Sequence, residues 1–426
     1  MFKPMSDEIA LGHGHRIAIF NGLGKFDKLI KNLRTNQLQQ GKKVQDLSTL
    51  DILAKAARIP TQDYALNHSM LPVMRVAAKY GNEFVHGSPE AMSINRRLGM
   101  LIPRKFACVC LSCIQEDFDQ HGFSYFRRSH HLNGVDWCPN HGEVLNRVNS
   151  DNPFSKLPHF WRQQKMITPL PSFCLHINET PEFVQKYSAN AIALLKQAKP
   201  LTVAIVNGRI NLRVKALCFP VGEYGRKILL SDHVIKMAPT DWFNNSVYAS
   251  SNQKKHINQN FFCIDGIVKS MGYVASYESY SLVLAATYNS TEIALGAFTA
   301  PPIDPSKEKA KYPSPKRLGQ SFWNGHTLYS AYIECHGIYS DVADRFNLDR
   351  KNTREKMISM GFPSLKHYES SALLHAFRDF SQGTTILEAC SQHGVMVADL
   401  EEFLRISSCR ISNAIDHIEQ LKRAHT

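Results

Sequence analysis

Four residues at two fixed spacings constrain this chain more than its length does. Cys110-Leu111-Ser112-Cys113 is a C-x2-C bend and Cys138-Pro139-Asn140-His141 a C-x2-H bend, with 24 residues between them. Each bend sets two sulfur or imidazole donors side by side. Two such bends facing one another close a tetrahedron around an ion, at about 2.3 Å for sulfur and about 2.0 Å for nitrogen. That donor set suits zinc. With all four positions filled by protein no place is left for water, so one structural Zn2+ on Cys110, Cys113, Cys138 and His141 is expected, ordering a loop-rich segment. Cys108, His130 and His131 lie close enough in sequence to compete; the spacing favours the four named residues.

The same stretch admits a catalytic reading. His130, His131, Asn133 and His141 superficially offer the pattern of a zinc-dependent nuclease of the His-Asn-His type. Such an enzyme needs a second, open metal position with a base free to activate water, and His141 is already committed to the first. The expectation is a protein that is not an enzyme, with the nuclease as the chemical alternative.

Lys and Arg number 50 against 37 Asp and Glu, a formal net charge of +13, and the pI is near 9.2. That balance favours an acidic partner such as nucleic acid over a neutral metabolite, and a basic solvated surface is the bland account of it. No apolar run approaches the roughly 18 residues that cross a bilayer, and Met1–Glu8 lacks the basic-then-apolar layout of a signal peptide. A cytoplasmic protein with no membrane partner is therefore expected. In that setting ten cysteines, four of them from Cys108 to Cys138, point to a metal and away from a disulfide framework.

A chain of 426 residues exceeds one ordinary hydrophobic core, so several domains are expected. The pattern predicts a helix from Asp7 to the Asn21-Gly22 stop. It predicts further helices over Leu50–Ala57 and Thr61–His68, joined by Arg58-Ile59-Pro60 as a helix-turn-helix within Leu50–Ser69. Cys108–Leu145 shows little helical periodicity and reads as the metal segment. Ser150–Ser172, with four prolines, reads as an extended connector. Helices are predicted at Pro181–Gln197 and Leu282–Phe298, with mixed short segments between Leu201 and Ile235. Prolines and lysines alternate from Pro301 to Arg317 as a stiff basic linker, after which Phe322–Leu421 is helical in pattern. The expected division is 1–150 with the helix-turn-helix and metal segment, 151–300 as a middle domain without a legible fold, 301–320 as linker, and 321–426 as a helical C-terminal domain.

Read in order, Cys110 to Asp117 (CLSCIQED), Gly122 to His130 (GFSYFRRSH), Leu132 to Val135 (LNGV) and Cys138 to Gly142 (CPNHG) resemble the TniQ/TnsD family of transposon target-selection proteins. Asp7-Glu8 through Arg16-Ile17-Ala18 to Asn21-Gly22, and Tyr64 through His68-Ser69-Met70-Leu71-Pro72, resemble it too, so the likeness spans the first third of the chain. Phe126 stands where the family usually has tryptophan, and Asn133 where proline is common. Many relatives carry a second cysteine ribbon, whereas here only Cys174 precedes Cys218, so a single zinc is expected. The resemblance implies a protein that marks a DNA site, or a CRISPR effector complex bound there, and recruits an AAA+ transposition regulator of the TnsC type. Arg127 and Arg128, beside Tyr125 and Phe126, are candidate phosphate contacts, with a salt-bridged surface as the equal alternative.

Towards the C-terminus, Ser340–Met360 reads as a second helix-turn-helix, turning at Asn347-Leu348. Its second helix carries Arg350, Lys351, Asn352, Arg354 and Lys356, donors suited to phosphates and to guanine or adenine edges in a major groove of double-stranded DNA. A third such pattern runs from Thr384 to Ile406 with Gly394 at the turn. Its second helix bears Asp399, Glu401 and Glu402, which phosphate would repel, leaving Arg405 and Arg410 as backbone contacts. The sequence thus predicts a mainly α, multidomain protein with helix-turn-helix modules and a small CCCH zinc-finger segment. Direct DNA-binding target selection is the expected role. A TniQ-type adaptor on a CRISPR effector complex and a zinc-braced transcriptional regulator are the alternatives.

Overall fold

The computed structural model describes residues 3–38, 47–172, 174–217, 229–247, 256–270, 272–298, 325–345, 348–366 and 372–424. It is 60% helical, and no strand among the described residues exceeds three residues, so the mainly α expectation holds. Two compact units share the chain. Met1–Val203, Val234–Gly266 and Gly272–Ala286 form the first; Ala204–His233, Ile267–Met271 and Thr287–Thr426 form the second. The stretch from 151 to 298 is thus divided between both units. The 301–320 linker lies outside the described residues.

The first unit begins with α1 (Ala10–Phe20), α2 (Phe26–Leu38), α3 (Thr49–Ala57) and α4 (Thr61–His68). Ile17, Leu29, Leu50, Leu53, Tyr64 and Leu71 are buried together between them. Helix α1 stops at Asn21, whose side-chain amide donates to the Ile17 carbonyl at 2.7 Å, and Gly22 follows at φ +65°. Ser48 and Asp51 form a reciprocal capping box at the start of α3, and Arg58 closes it in the left-handed region. Pro60 then caps α4, where its missing N–H is no loss. The helix-turn-helix at Leu50–Ser69 is therefore present. Helix α2 was not anticipated, although Phe26, Leu29, Ile30 and Leu33 carry its helical spacing.

After α5 (Leu71–Met74), strand β1 (Ala77–Ala78) and α6 (Met92–Leu98), the metal segment departs from expectation by containing a helix, α7 (Leu111–His121). Its buried face is Cys113, Ile114 and Asp117, so two of three inward positions are not apolar and the period is hidden. Strands β2 (Cys108–Val109), β3 (Asn146–Val148) and β4 (Ile167–Pro169) form an antiparallel sheet in that order. The 150–172 connector is correspondingly not simply extended. It holds β4 and α8 (Pro158–Gln163), and the buried Trp161 donates its indole N–H to the Pro153 carbonyl at 2.7 Å. Proline at the first helical position is compatible with α8. Next come α9 (Glu182–Leu195), close to the predicted 181–197, and β5 (Leu201–Thr202), parallel to β1.

Beyond these lie α10 (Val203–Ala216), α11 (Leu230–Met237), α12 (Thr240–Trp242) and α13 (Phe262–Lys269). The single helix predicted over 282–298 is two, α14 (Tyr277–Thr287) and α15 (Thr291–Gly296), because Ser290 caps a new start by accepting from the Ile293 N–H. In the second unit α16 (Gly325–Glu334), α17 (Tyr339–Arg345), α18 (Arg350–Ser359), α19 (Ala372–Gln382), α20 (Ile386–His393), α21 (Val397–Ile406) and α22 (Ile411–Ala424) surround one core. Tyr332, Val342, Met357, Phe362, Phe377, Leu400 and Phe403 lie in it. Helices α17 and α18 match the predicted motif; Phe346 and Asn347 at its turn lie outside the described residues. Helices α20 and α21 meet at Gly394, φ +63°, as the third pattern required.

Candidate metal centre

Local structure aims each bend. Strand β2 delivers the chain to Cys110, which is the N-cap of α7, and Cys113 lies in that helix's first turn. The second bend is the tip of a hairpin closed by the Trp137–Val144 bridge. There Cys138 N–H donates to the Glu143 carbonyl at 2.7 Å and Gly142 N–H to the Cys138 carbonyl at 2.8 Å. Gly142 has φ +70°, a conformation that side chains rarely adopt, and a Cβ on it would also press on the His176 ring at 2.4 Å, so glycine is favoured here.

The Sγ atoms of Cys110, Cys113 and Cys138 and a ring nitrogen of His141 lie within 4.8 Å of one another. His141 Nδ1 is 3.4 Å from Cys113 Sγ, 3.5 Å from Cys110 Sγ and 3.6 Å from Cys138 Sγ. Cys113 and Cys138 sulfurs are 3.5 Å apart. A tetrahedral zinc would set sulfur–sulfur edges at about 3.8 Å and sulfur–nitrogen edges at about 3.6 Å, so this donor set fits such an ion. The four residues can hold one metal ion, with three buried sulfurs and a half-buried imidazole.

The surroundings orient the donors. Glu116 Oε1 lies 2.9 Å from His141 Nε2, which turns Nδ1 towards the sulfurs. The Glu116 carboxylate is the main cause that raises His141 to about 9. To bind a metal, Nδ1 of this ring must be unprotonated. Hydrogen bonds from Cys110 and Cys113 lower the Cys138 thiol, whereas the bonds to Cys110 and Cys138 raise Cys113, so the crowded sulfurs share their protons and do not all ionise together. Glu143 accepts from Ser112 Oγ at 2.7 Å and ties the two bends together.

None of the three competitors joins the four mutually close donors, although His130 touches one of them. Cys108 is fully buried on β2, its sulfur 3.1 Å from Arg104 Nη1. His131 is bonded through both nitrogens, Nδ1–H donating to the Arg127 carbonyl at 2.8 Å and Nε2 accepting from the Cys108 N–H at 3.4 Å. His130 stands behind the cluster with Nε2 3.4 Å from Cys138 Sγ, and burial lowers it to about 4.

Arg127 and Arg128 point inward. Arg127 makes two bonds to the buried Asp117, at 2.7 and 2.8 Å. Arg128 bonds Asp7 at 3.1 Å and the carbonyls of Leu66 and Ser69. Of the two readings open for this pair, the geometry is that of ion-pair braces. A phosphate would have to displace the buried Asp117 carboxylate to reach Arg127, and the half-buried Asp7 carboxylate to reach Arg128. On α18, by contrast, Arg350, Lys351, Asn352, Arg354 and Lys356 are all exposed. Arg350 pairs with Asp344 at 2.8 Å, whereas Lys351, Arg354 and Lys356 meet no carboxylate among the described residues. Arg405 is engaged by Glu402, and Arg410 lies over the Tyr329 ring at 6.0 Å.

Sequence reasoning missed Glu116 and Arg104. Glu116 follows Cys113 by three residues, one helical turn, which is the signal that finds it once α7 is known. Arg104 gathers the Leu132 carbonyl, Asp136 and Cys108, and nothing local marks it.

Among proteins of known families, residues 1–145 match the TniQ family model, a span that contains all four metal donors. No curated protein matches the chain.

Proposed function

We propose, from a TniQ-type N-terminal segment, that this protein selects the insertion site of a DNA transposon and recruits its AAA+ regulator there, without catalysing a reaction itself. The observation that carries this reading is the TniQ match over the segment built around the Cys3His cluster. Zinc is the proposed ion, and its role is to hold α7 against the 137–144 hairpin. It would be held by the three thiolates and His141 Nδ1, which leaves no position for a catalytic water.

DNA contact is assigned to the second unit. Helix α18 follows α17 in helix-turn-helix order and presents Lys351, Asn352, Arg354 and Lys356 to solvent. Lysine and arginine supply phosphate contacts, and the Asn352 amide can pair both with N6 and N7 of adenine. Selection of bound duplex DNA from a random pool, at two salt concentrations, tests the reading. A recovered consensus that survives high salt, and that disappears with Asn352→Ala, is expected. Binding with no consensus at either salt would defeat direct site reading. Absence of transposase and AAA+ genes beside its own would defeat the link to transposition.

A further inference from the structure

Six aromatic rings form a run over the first unit that neither the metal centre nor α18 uses. Phe20 packs edge-on against Phe123 at 5.4 Å, and Phe123 lies 6.0 Å from His121. One helical turn earlier on α7, Phe118 meets His159 at 5.2 Å, and His159 meets Phe160 at 4.2 Å. Phe20, Phe118 and Phe160 are 42%, 42% and 41% exposed, although folding ordinarily hides phenylalanine. Core packing therefore does not account for them.

Charge selects the occupant. From the Phe20 end, α2 and the residue before it present Lys25, Lys28, Lys31 and Arg34, all exposed and none paired with a carboxylate among the described residues. Near Phe160, at the other end, Arg162 and Lys165 are exposed as well. Exposed cations towards both ends of the run outnumber the exposed carboxylates there, Asp27 and Asp119, and this positive excess complements a polyanion carrying flat apolar groups. An apolar protein surface would meet the rings but leave the cations unanswered.

We propose that this track binds single-stranded DNA, with successive bases stacked on Phe20, Phe118 and Phe160 and phosphates against the flanking cations. Unpaired bases are required, since a duplex hides its faces within the stack. The polar groups beside the rings are largely occupied by one another: Gln115 donates to Asp119 and accepts from Arg162, and Lys156 donates to Gln164. Little remains to select a sugar 2′-hydroxyl, so DNA suffices.

The test uses the full-length chain with Lys351, Arg354 and Lys356 changed to alanine, so that the outcome is separate from any failure of the α18 reading. Binding of an oligothymidylate of about 15 nucleotides is followed by fluorescence anisotropy. Each of Phe20→Ala, Phe118→Ala and Phe160→Ala is expected to weaken it by about five-fold or more. Lys28→Glu with Lys31→Glu should weaken it too and flatten its salt dependence. Unchanged metal content and circular dichroism verify folding. Photocrosslinking of 5-iododeoxyuridine in the oligonucleotide should mark the same rings. The proposal is overturned by no binding, by affinity indifferent to the three substitutions, by crosslinks elsewhere, or by ten-fold tighter binding of the matching RNA.

Discussion

At Glu116 a carboxylate that is half in solvent fixes which nitrogen of His141 faces the sulfurs. Glu116→Gln keeps a hydrogen-bonding group but removes its charge, and should weaken metal retention about 10-fold or more, read by competition with a chromogenic chelator. Two further histidines carry a pH dependence. Burial lowers both His68 and His86 to about 4, and neither ring nitrogen of His86 has a hydrogen-bond partner among the described residues. The unfolded chain binds protons at these rings from about pH 6.5 downwards, before the folded chain does, so stability is full above that value and falls towards pH 4. The loss is on the order of 3 kcal/mol for each ring across the window. Urea unfolding at pH 7 and pH 5 should show the fall, and His86→Leu should make it shallower; an equal fall in that variant would refute the assignment.

At the scale of elements, two helix-turn-helix pairs of similar length present different surfaces. Helix α4 exposes Gln62, Asp63 and Asn67, whereas α18 exposes Lys351, Asn352, Arg354 and Lys356, which is why the second pair is the one assigned to DNA. Alanine at Lys351 or Arg354 should lower the slope of log affinity against log salt by about 1 each, and alanine at Gln62 should leave it unaltered. Packing holds α3 in place, but its start depends on the Ser48–Asp51 capping box, where Ser48 is 2% exposed. Ser48→Ala should cost about 1 kcal/mol in urea unfolding. A loss within error of zero would mean that core contacts alone fix the helix.

For the whole molecule, the metal is expected to govern one unit and not the other, because all four donors lie in the first. Elemental analysis should give one zinc per chain. Chelation should destabilise the 108–145 segment, seen as accelerated amide exchange there, while α19–α22 keep their protection. Loss of protection across α19–α22 on chelation would contradict this. Among the described residues no helix is long and apolar enough to cross a membrane.

Spacing alone singled out the four candidate donors that the fold brings together, since C-x2-C and C-x2-H are local bends whose geometry is complete within four residues each. Local signals also placed the turns at Arg58-Ile59-Pro60 and Gly394. Helix α7 was hidden because its inward face is a cysteine, an isoleucine and an aspartate, and α8 because prolines surround it. The roles of Arg127 and Arg128 could not be read from sequence at all. Their carboxylate partners are Asp117 and Asp7, the latter more than a hundred positions away, and only folding decides whether a guanidinium meets a buried carboxylate or solvent. Periodicity and spacing act over a few residues of backbone, whereas burial and charge pairing belong to neighbours that the chain's return path supplies.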